Sequence, residues 1–152
     1  MKVLTNNILD MLQKFLFPEN KYNTTVSVAL LILRIAFAGM LVTHGWAKLT
    51  NFVATTEGFA AMGGAPVAAL VVFAEFFCAL GVVVGLLYRL ALIPIIINMS
   101  VAFFMAHGAQ LVGEQNGELA FLYLVTFVVL ILTGPGKYAL DYFFSKKERV
   151  VS

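Results

Sequence analysis

Arg34, His44 and Lys48 are three basic side chains inside one otherwise apolar stretch that runs from Val26 to Leu49. An ionisable group at membrane depth costs about 3 kcal/mol or more, so it faces the protein interior and finds a partner there. Partners are available in the other apolar stretches: Glu75 in the second, His107 near the end of the third and Glu118 at the start of the fourth. Depth is counted from the side opposite the two termini, at a helical rise of about 1.5 Å per residue. His44 then lies roughly 7 Å down, Glu75 about 13 Å and Arg34 roughly 22 Å. His44 and Lys48 are four residues apart and share a helix face, and Arg34 is about 40° from Lys48 at 100° per residue. The spacing predicts a polar cluster of His44, Lys48, Glu75, His107 and Glu118 in the outer half, with Arg34 reaching up toward Glu75.

Two chemistries fit such a cluster. Buried charges can hold a helical bundle in one register without reacting. They can also line a pocket that takes a polar head group or exchanges protons. Other site chemistries fit less well. His44 and His107 match no recognised haem spacing, and depth alone favours a His/His/Glu/Glu metal site, so no metal is assigned. Ser100 and His107 share a helix face two turns apart, beyond hydrogen-bond reach for a nucleophile and its base. Cys78, one turn from Glu75, reads as a small packing residue.

The composition says what must position these groups. The chain has 152 residues, 61% hydrophobic and 12% charged, against ~45–50% and ~25% in soluble domains. That apolar excess is more than one core can hide, so the expectation is an all-α integral membrane protein of one domain. One cysteine excludes an internal disulfide and a CxxC motif. The net charge of +2 gives no reason to expect nucleic acid.

Four segments, about 26–49, 66–87, 90–109 and 117–134, are expected to span the membrane as a four-helix bundle. Residues 1–22 place Leu4, Ile8, Leu12 and Phe15 on one face, an amphipathic surface helix stopped by Pro18. They lack the apolar core of a signal peptide. With both termini on one side, that side collects Lys2, Lys14, Lys21, Arg89, Lys137, Lys146, Lys147 and Arg149, and the other only Lys48. The positive-inside rule puts both termini, and the 137–152 tail, in the cytoplasm. Gly81 and Gly85 form a GxxxG step for close helix packing, Arg89 and Asp141 are expected to pair, and Trp46 and Tyr88 to sit in aromatic belts.

The order of these pieces resembles the DoxX family of small bacterial and archaeal membrane proteins. The matching residues are Arg34, then His44-Gly45-Trp46-Ala47-Lys48, then Gly63-Gly64-Ala65-Pro66. Glu75 follows, with Gly81 and Gly85 leading to Tyr88-Arg89, then His107, Gly134-Pro135-Gly136 and Leu140-Asp141. The likeness covers about Leu30 to Asp141, and the N-terminal helix and basic tail depart from it. It implies a four-helix membrane bundle and a link to redox or thiol-stress assemblies, since the family is named for a subunit of a thiosulfate:quinone oxidoreductase. Its recurrent positions fall on Arg34, His44, Lys48, Glu75 and His107.

The expectation is therefore a multi-pass protein of the bacterial cytoplasmic (inner) membrane, a subunit of a quinone-linked redox system. A quinone head group would accept a hydrogen bond from His44 or His107, Glu75 would relay a proton, and Lys48 and Arg34 would stabilise negative charge or hold the carboxylate. Membrane lipids, a redox partner subunit and a second copy of the chain are the other candidate partners. The alternative is a non-enzymatic lipid-binding or scaffold protein whose charges are structural.

Overall fold

The computed structural model describes residues 23–114 and 116–144, so the expected surface helix at 1–22 and the end of the tail at 145–152 lie outside the described residues. Every regular element among those described is helical. The Asn23 side chain accepts the Val26 amide at 2.8 Å and so caps α1, Thr24–Thr50. A short helix α2, Phe52–Gly58, and a single turn at Ala60–Met62 follow. Pro66 opens α3, Ala65–Val84, at a first-turn position where its missing N–H costs nothing. α4 is Tyr88–Ala106 and α5 is Glu118–Thr133. A last helical turn lies at 140–144.

α1, α3 and α4 are long and apolar enough to cross a membrane. α5 has 16 residues, about 24 Å of helix, shorter than the ~30 Å hydrocarbon layer. The core forms where α4 turns Tyr88, Leu92, Ile95 and Met99 toward Tyr123, Phe127 and Leu130 of α5 and Leu30 and Leu41 of α1. The outside is apolar as well: Ile32, Leu70, Phe104 and Leu132 are all exposed. Hydrophobic faces both inward and outward suit a bundle whose solvent is lipid.

Each long helix contains a π turn, at Arg34–Ala38, Phe73–Cys78 and Ala102–Ala106. A π turn inserts an extra residue, which moves everything beyond it by about 100° of helical phase. The 40° separation expected between Arg34 and Lys48 therefore does not hold, because a π turn lies between them.

Arg34 does not reach Glu75. Its guanidinium is completely buried, and it donates from Nε to the Val82 carbonyl at 3.0 Å and from Nη2 to that of Val83 at 2.8 Å. Nη1 donates to Pro135 at 2.8 Å and Tyr138 at 3.3 Å. The last carbonyls of a helix have no intrahelical partner and lie at the negative end of its dipole, so a cation there is doubly favoured. Glu75 lies about two helical turns before Val82 in α3. The Arg34 guanidinium also stands 5.5 Å from the centre of the Tyr88 ring, a cation–π distance. Tyr88 is accordingly buried at 1% exposure rather than in an aromatic belt.

Gly85 does a different task from the expected helix-packing step. It has φ 74° and ends α3 in a Schellman arrangement, with Leu86 N–H bonded to Gly81 O at 2.9 Å and Gly85 N–H to Val82 O at 3.2 Å. A Cβ there would stand 2.5 Å from the Ala139 side chain and 2.6 Å from Arg34 Nη2. Asp141 closes the same corner. Its carboxylate accepts the amides of Leu87 at 3.0 Å and Tyr88 at 2.8 Å, capping α4 from 53 residues away, and its own amide donates to Gly85 O at 3.0 Å. Arg34 and Asp141 thus fasten the segment after α5 across the α3–α4 turn.

Candidate functional site

Gly45 decides where the polar groups meet. A Cβ on it would lie 2.6 Å from both the carbonyl carbon of Glu75 and the nitrogen of Phe76, so the backbones of α1 and α3 touch at this point. The contact on the α3 side falls in the π turn Phe73–Cys78. His44 and Lys48 lie on either side of Gly45, and the close approach brings Lys48 onto Glu75 and His44 to the cavity that Glu75 lines.

The Glu75 carboxylate is buried, at 4% exposure for the residue. Lys48 Nζ donates to Oε2 in an ion pair. Asn98 of α4 donates from Nδ2 to Oε1 at 3.0 Å. Both oxygens are thus engaged, each by a different helix, which is what an intramembrane carboxylate requires. Lys48 keeps about a third of its side-chain surface exposed, so the pair is reachable from one side.

That side is a cavity of about 240 Å³. Its polar lining comprises His44, Lys48, Glu75, His107, Asn116 and Tyr123, and its apolar lining includes Leu41, Met99, Ala102 and Leu119. Mostly apolar walls with a few convergent polar groups are the usual make-up of a small-molecule site. The loop between α4 and α5 brings His107 and Asn116 to the lining. It is fastened by the Gly117 amide on Gln110 O at 2.9 Å, and Gly117 lies so close that a Cβ there would be 2.8 Å from the His107 Cβ. On the far wall the Tyr123 ring meets His44 edge-on at 6.4 Å and Phe37 at 6.0 Å, and stacks on Phe127 at 5.9 Å.

Of the residues singled out by type and depth, the structure brings His44, Lys48, Glu75 and His107 to one cavity. Arg34 lies away from it. Glu118 opens α5 beside the lining residues Asn116 and Leu119 but does not line the cavity, and its amide donates to Asn116 Oδ1 at 3.1 Å. Ser100 bonds back to Ile96 O at 2.8 Å, and Cys78 is buried in the core; neither takes part. Among the described residues, no three His, Cys, Asp or Glu side chains converge to hold a metal ion.

Sequence reasoning missed Asn98 and Tyr123, and it named Gly45 only as part of the family motif, without its role. Asn98 was detectable by the criterion that found Glu75, a polar side chain in an apolar run, Ile95-Ile96-Ile97-Asn98. Tyr123 carried a signal too, lying inside an apolar helix rather than at its edge. Gly45 gave none, because contact with another helix is not a local property.

A family model described as DoxX matches residues 29–108 of the chain. An uncharacterized protein of Haemophilus influenzae is 32% identical over 126 residues, covering 78% of this chain and 92% of that one. The inner membrane protein YqjF of Escherichia coli K12 is 30% identical over 125 residues, covering 79% and 95%. No solved structure matches.

Proposed function

Starting from the fact that the chain belongs to the DoxX family of membrane proteins, we propose that it is the membrane subunit of a quinone-linked redox system and that its cavity takes the quinone head group. The observation that carries this is the Lys48–Glu75–Asn98 network at the wall of a cavity also lined by two histidines. The name of the Escherichia coli relative supports a place in the bacterial inner membrane. The lysine and arginine distribution supports four crossings with both termini in the cytoplasm.

The residues present fit such a head group. The Tyr123 hydroxyl is buried and has no hydrogen-bond partner among the described residues, and an orphaned buried donor calls for an acceptor from a ligand. Lys48 has three N–H donors, and its exposed part leaves donors for the cavity beyond the one given to Glu75. When bound, a quinone supplies reversible transfer of two electrons and two protons. His44 and His107 offer ring nitrogens to its carbonyls, Glu75 holds or passes a proton, and Lys48 compensates the carboxylate's charge. Leu41, Met99 and Leu119 keep water out. A redox partner subunit and a second copy of the chain are the partners this reading implies.

A second reading, a non-enzymatic lipid-binding scaffold, draws support from Arg34. All four of its hydrogen bonds go to main-chain carbonyls and are architectural. A lipid-side groove of about 340 Å³ between α3 and α4, lined by Leu70, Phe73, Pro94 and Ile97, suits an acyl chain.

Native mass spectrometry with lipid extraction, on protein purified gently from its own membrane, separates the two. The expected result is a stoichiometric quinone that is lost in His44→Ala and Glu75→Gln. Phospholipid alone, unchanged in those variants, overturns the redox reading in favour of the scaffold.

A further inference from the structure

We propose that Tyr123 is a ligand-contacting residue whose hydroxyl donates a hydrogen bond to a carbonyl oxygen of the bound head group. The inference rests on the cavity reading above and names the atom class that its far wall recognises.

Tyr123 is 3% exposed, and its hydroxyl oxygen is buried without a hydrogen-bond partner among the described residues. A buried tyrosine normally finds a partner for its O–H, and one without a partner needs an explanation. The ring cannot turn to find one. Phe37 and His44 meet it edge-on and Phe127 stacks on it with an interplanar angle of 6°. Tyr123 is also a member of the cavity lining, together with Glu75 and Lys48. Glu75 has both oxygens engaged, by Lys48 and Asn98. Phenylalanine would fill the same space at lower cost, so the oxygen of Tyr123 answers to something that enters the cavity.

The surroundings choose between acceptors. Leu41, Met99 and Ala120 line the same cavity, and Lys48, the cation of its lining, is already balanced by the Glu75 carboxylate, so a phosphate would enter beside a like charge and lose its hydration. A neutral carbonyl needs only one donor. The ligand class is therefore a neutral head group carrying carbonyl oxygens, as the quinone of the proposed function does, and not a phosphate-bearing lipid head group.

Trp46 is the chain's single tryptophan; it is exposed and outside the cavity lining but on the helix that carries His44 and Lys48, so a quinone in the cavity quenches it by proximity, and only the saturable part of the quenching counts as binding. The full-length protein in detergent is titrated with a 1,4-benzoquinone bearing a ten-carbon chain, and separately with a short-chain phosphatidic acid. Wild type is expected to show saturable quenching with the quinone only. Tyr123→Phe is expected to bind it roughly 3- to 10-fold more weakly, the effect of one hydrogen bond. Without ligand, Tyr123→Phe should melt at the wild-type temperature or above, since it removes an unpartnered buried oxygen. Equal quinone affinity in the variant, or a lowered melting temperature without ligand, overturns the assignment of Tyr123 and leaves the quinone reading standing. Saturable competition by phosphatidic acid overturns the carbonyl selectivity, and no saturable quenching in wild type overturns both the inference and the reading beneath it.

Discussion

Replacing Arg34 by methionine removes a buried guanidinium while keeping a long apolar stem. The structure says what is lost: hydrogen bonds to Val82, Val83, Pro135 and Tyr138, and a cation over the Tyr88 ring. At about 1 kcal/mol for each of the four bonds, the cost is ~4 kcal/mol. Averages measured within membranes, nearer 0.6 kcal/mol per bond, give a floor of ~2.4 kcal/mol. Methionine leaves these buried carbonyls without the Arg34 donor, Val82 keeping only the Gly85 amide, which favours the upper figure. Unfolding in detergent, followed by circular dichroism across a denaturant series, measures the loss. Hydrogen exchange locates it, with faster exchange at the Leu87, Tyr88 and Asp141 amides, since these hold the segment that Arg34 fastens. A double-mutant cycle adds a sharper condition. Arg34 and Glu75 share no partner, so Arg34→Met and Glu75→Gln should be additive within about 0.5 kcal/mol. A coupling above ~1 kcal/mol, or stability unchanged in Arg34→Met, would refute the latch and restore a direct Arg34–Glu75 pair.

Gly45→Ala is expected to cost about 3 kcal/mol or more, the high end for overpacking, because its methyl meets the backbone of Glu75 and Phe76 rather than a side chain that can move. Wild-type stability in detergent would show that α1 and α3 do not touch there. Asp141→Ala removes a carboxylate that caps two amides and should lower stability by about 1–2 kcal/mol, with Asp141→Asn intermediate. An unfolding midpoint unmoved in both variants counts against the distant cap.

The charged groups of the cavity were legible because each breaks a hydrophobic run. An intramembrane charge is conspicuous in composition, and counting residues from a helix end gives its depth within a few ångströms. On that basis His44, Lys48, Glu75, His107 and Glu118 could all be placed in the outer half before any fold was known, and of these Glu118 does not line the cavity. Direction within the helix was another matter. The π turn at Arg34–Ala38 rotates Lys48 relative to Arg34, and nothing in the local sequence announces an inserted residue.

By itself, then, the sequence determined an all-helical, lipid-facing chain, the family, and which ionisable groups share a level, because hydrophobicity and helical rise are local quantities that add along the chain. Tertiary structure alone decided who pairs with whom. Arg34 took carbonyls at the end of α3 and beyond α5 instead of Glu75, and Asp141 capped a helix that begins 53 residues before it. Asn98 and Tyr123 joined the cavity, and Gly45 set how closely α1 meets α3. Those choices depend on distances between helices, which arise only once the helices have packed.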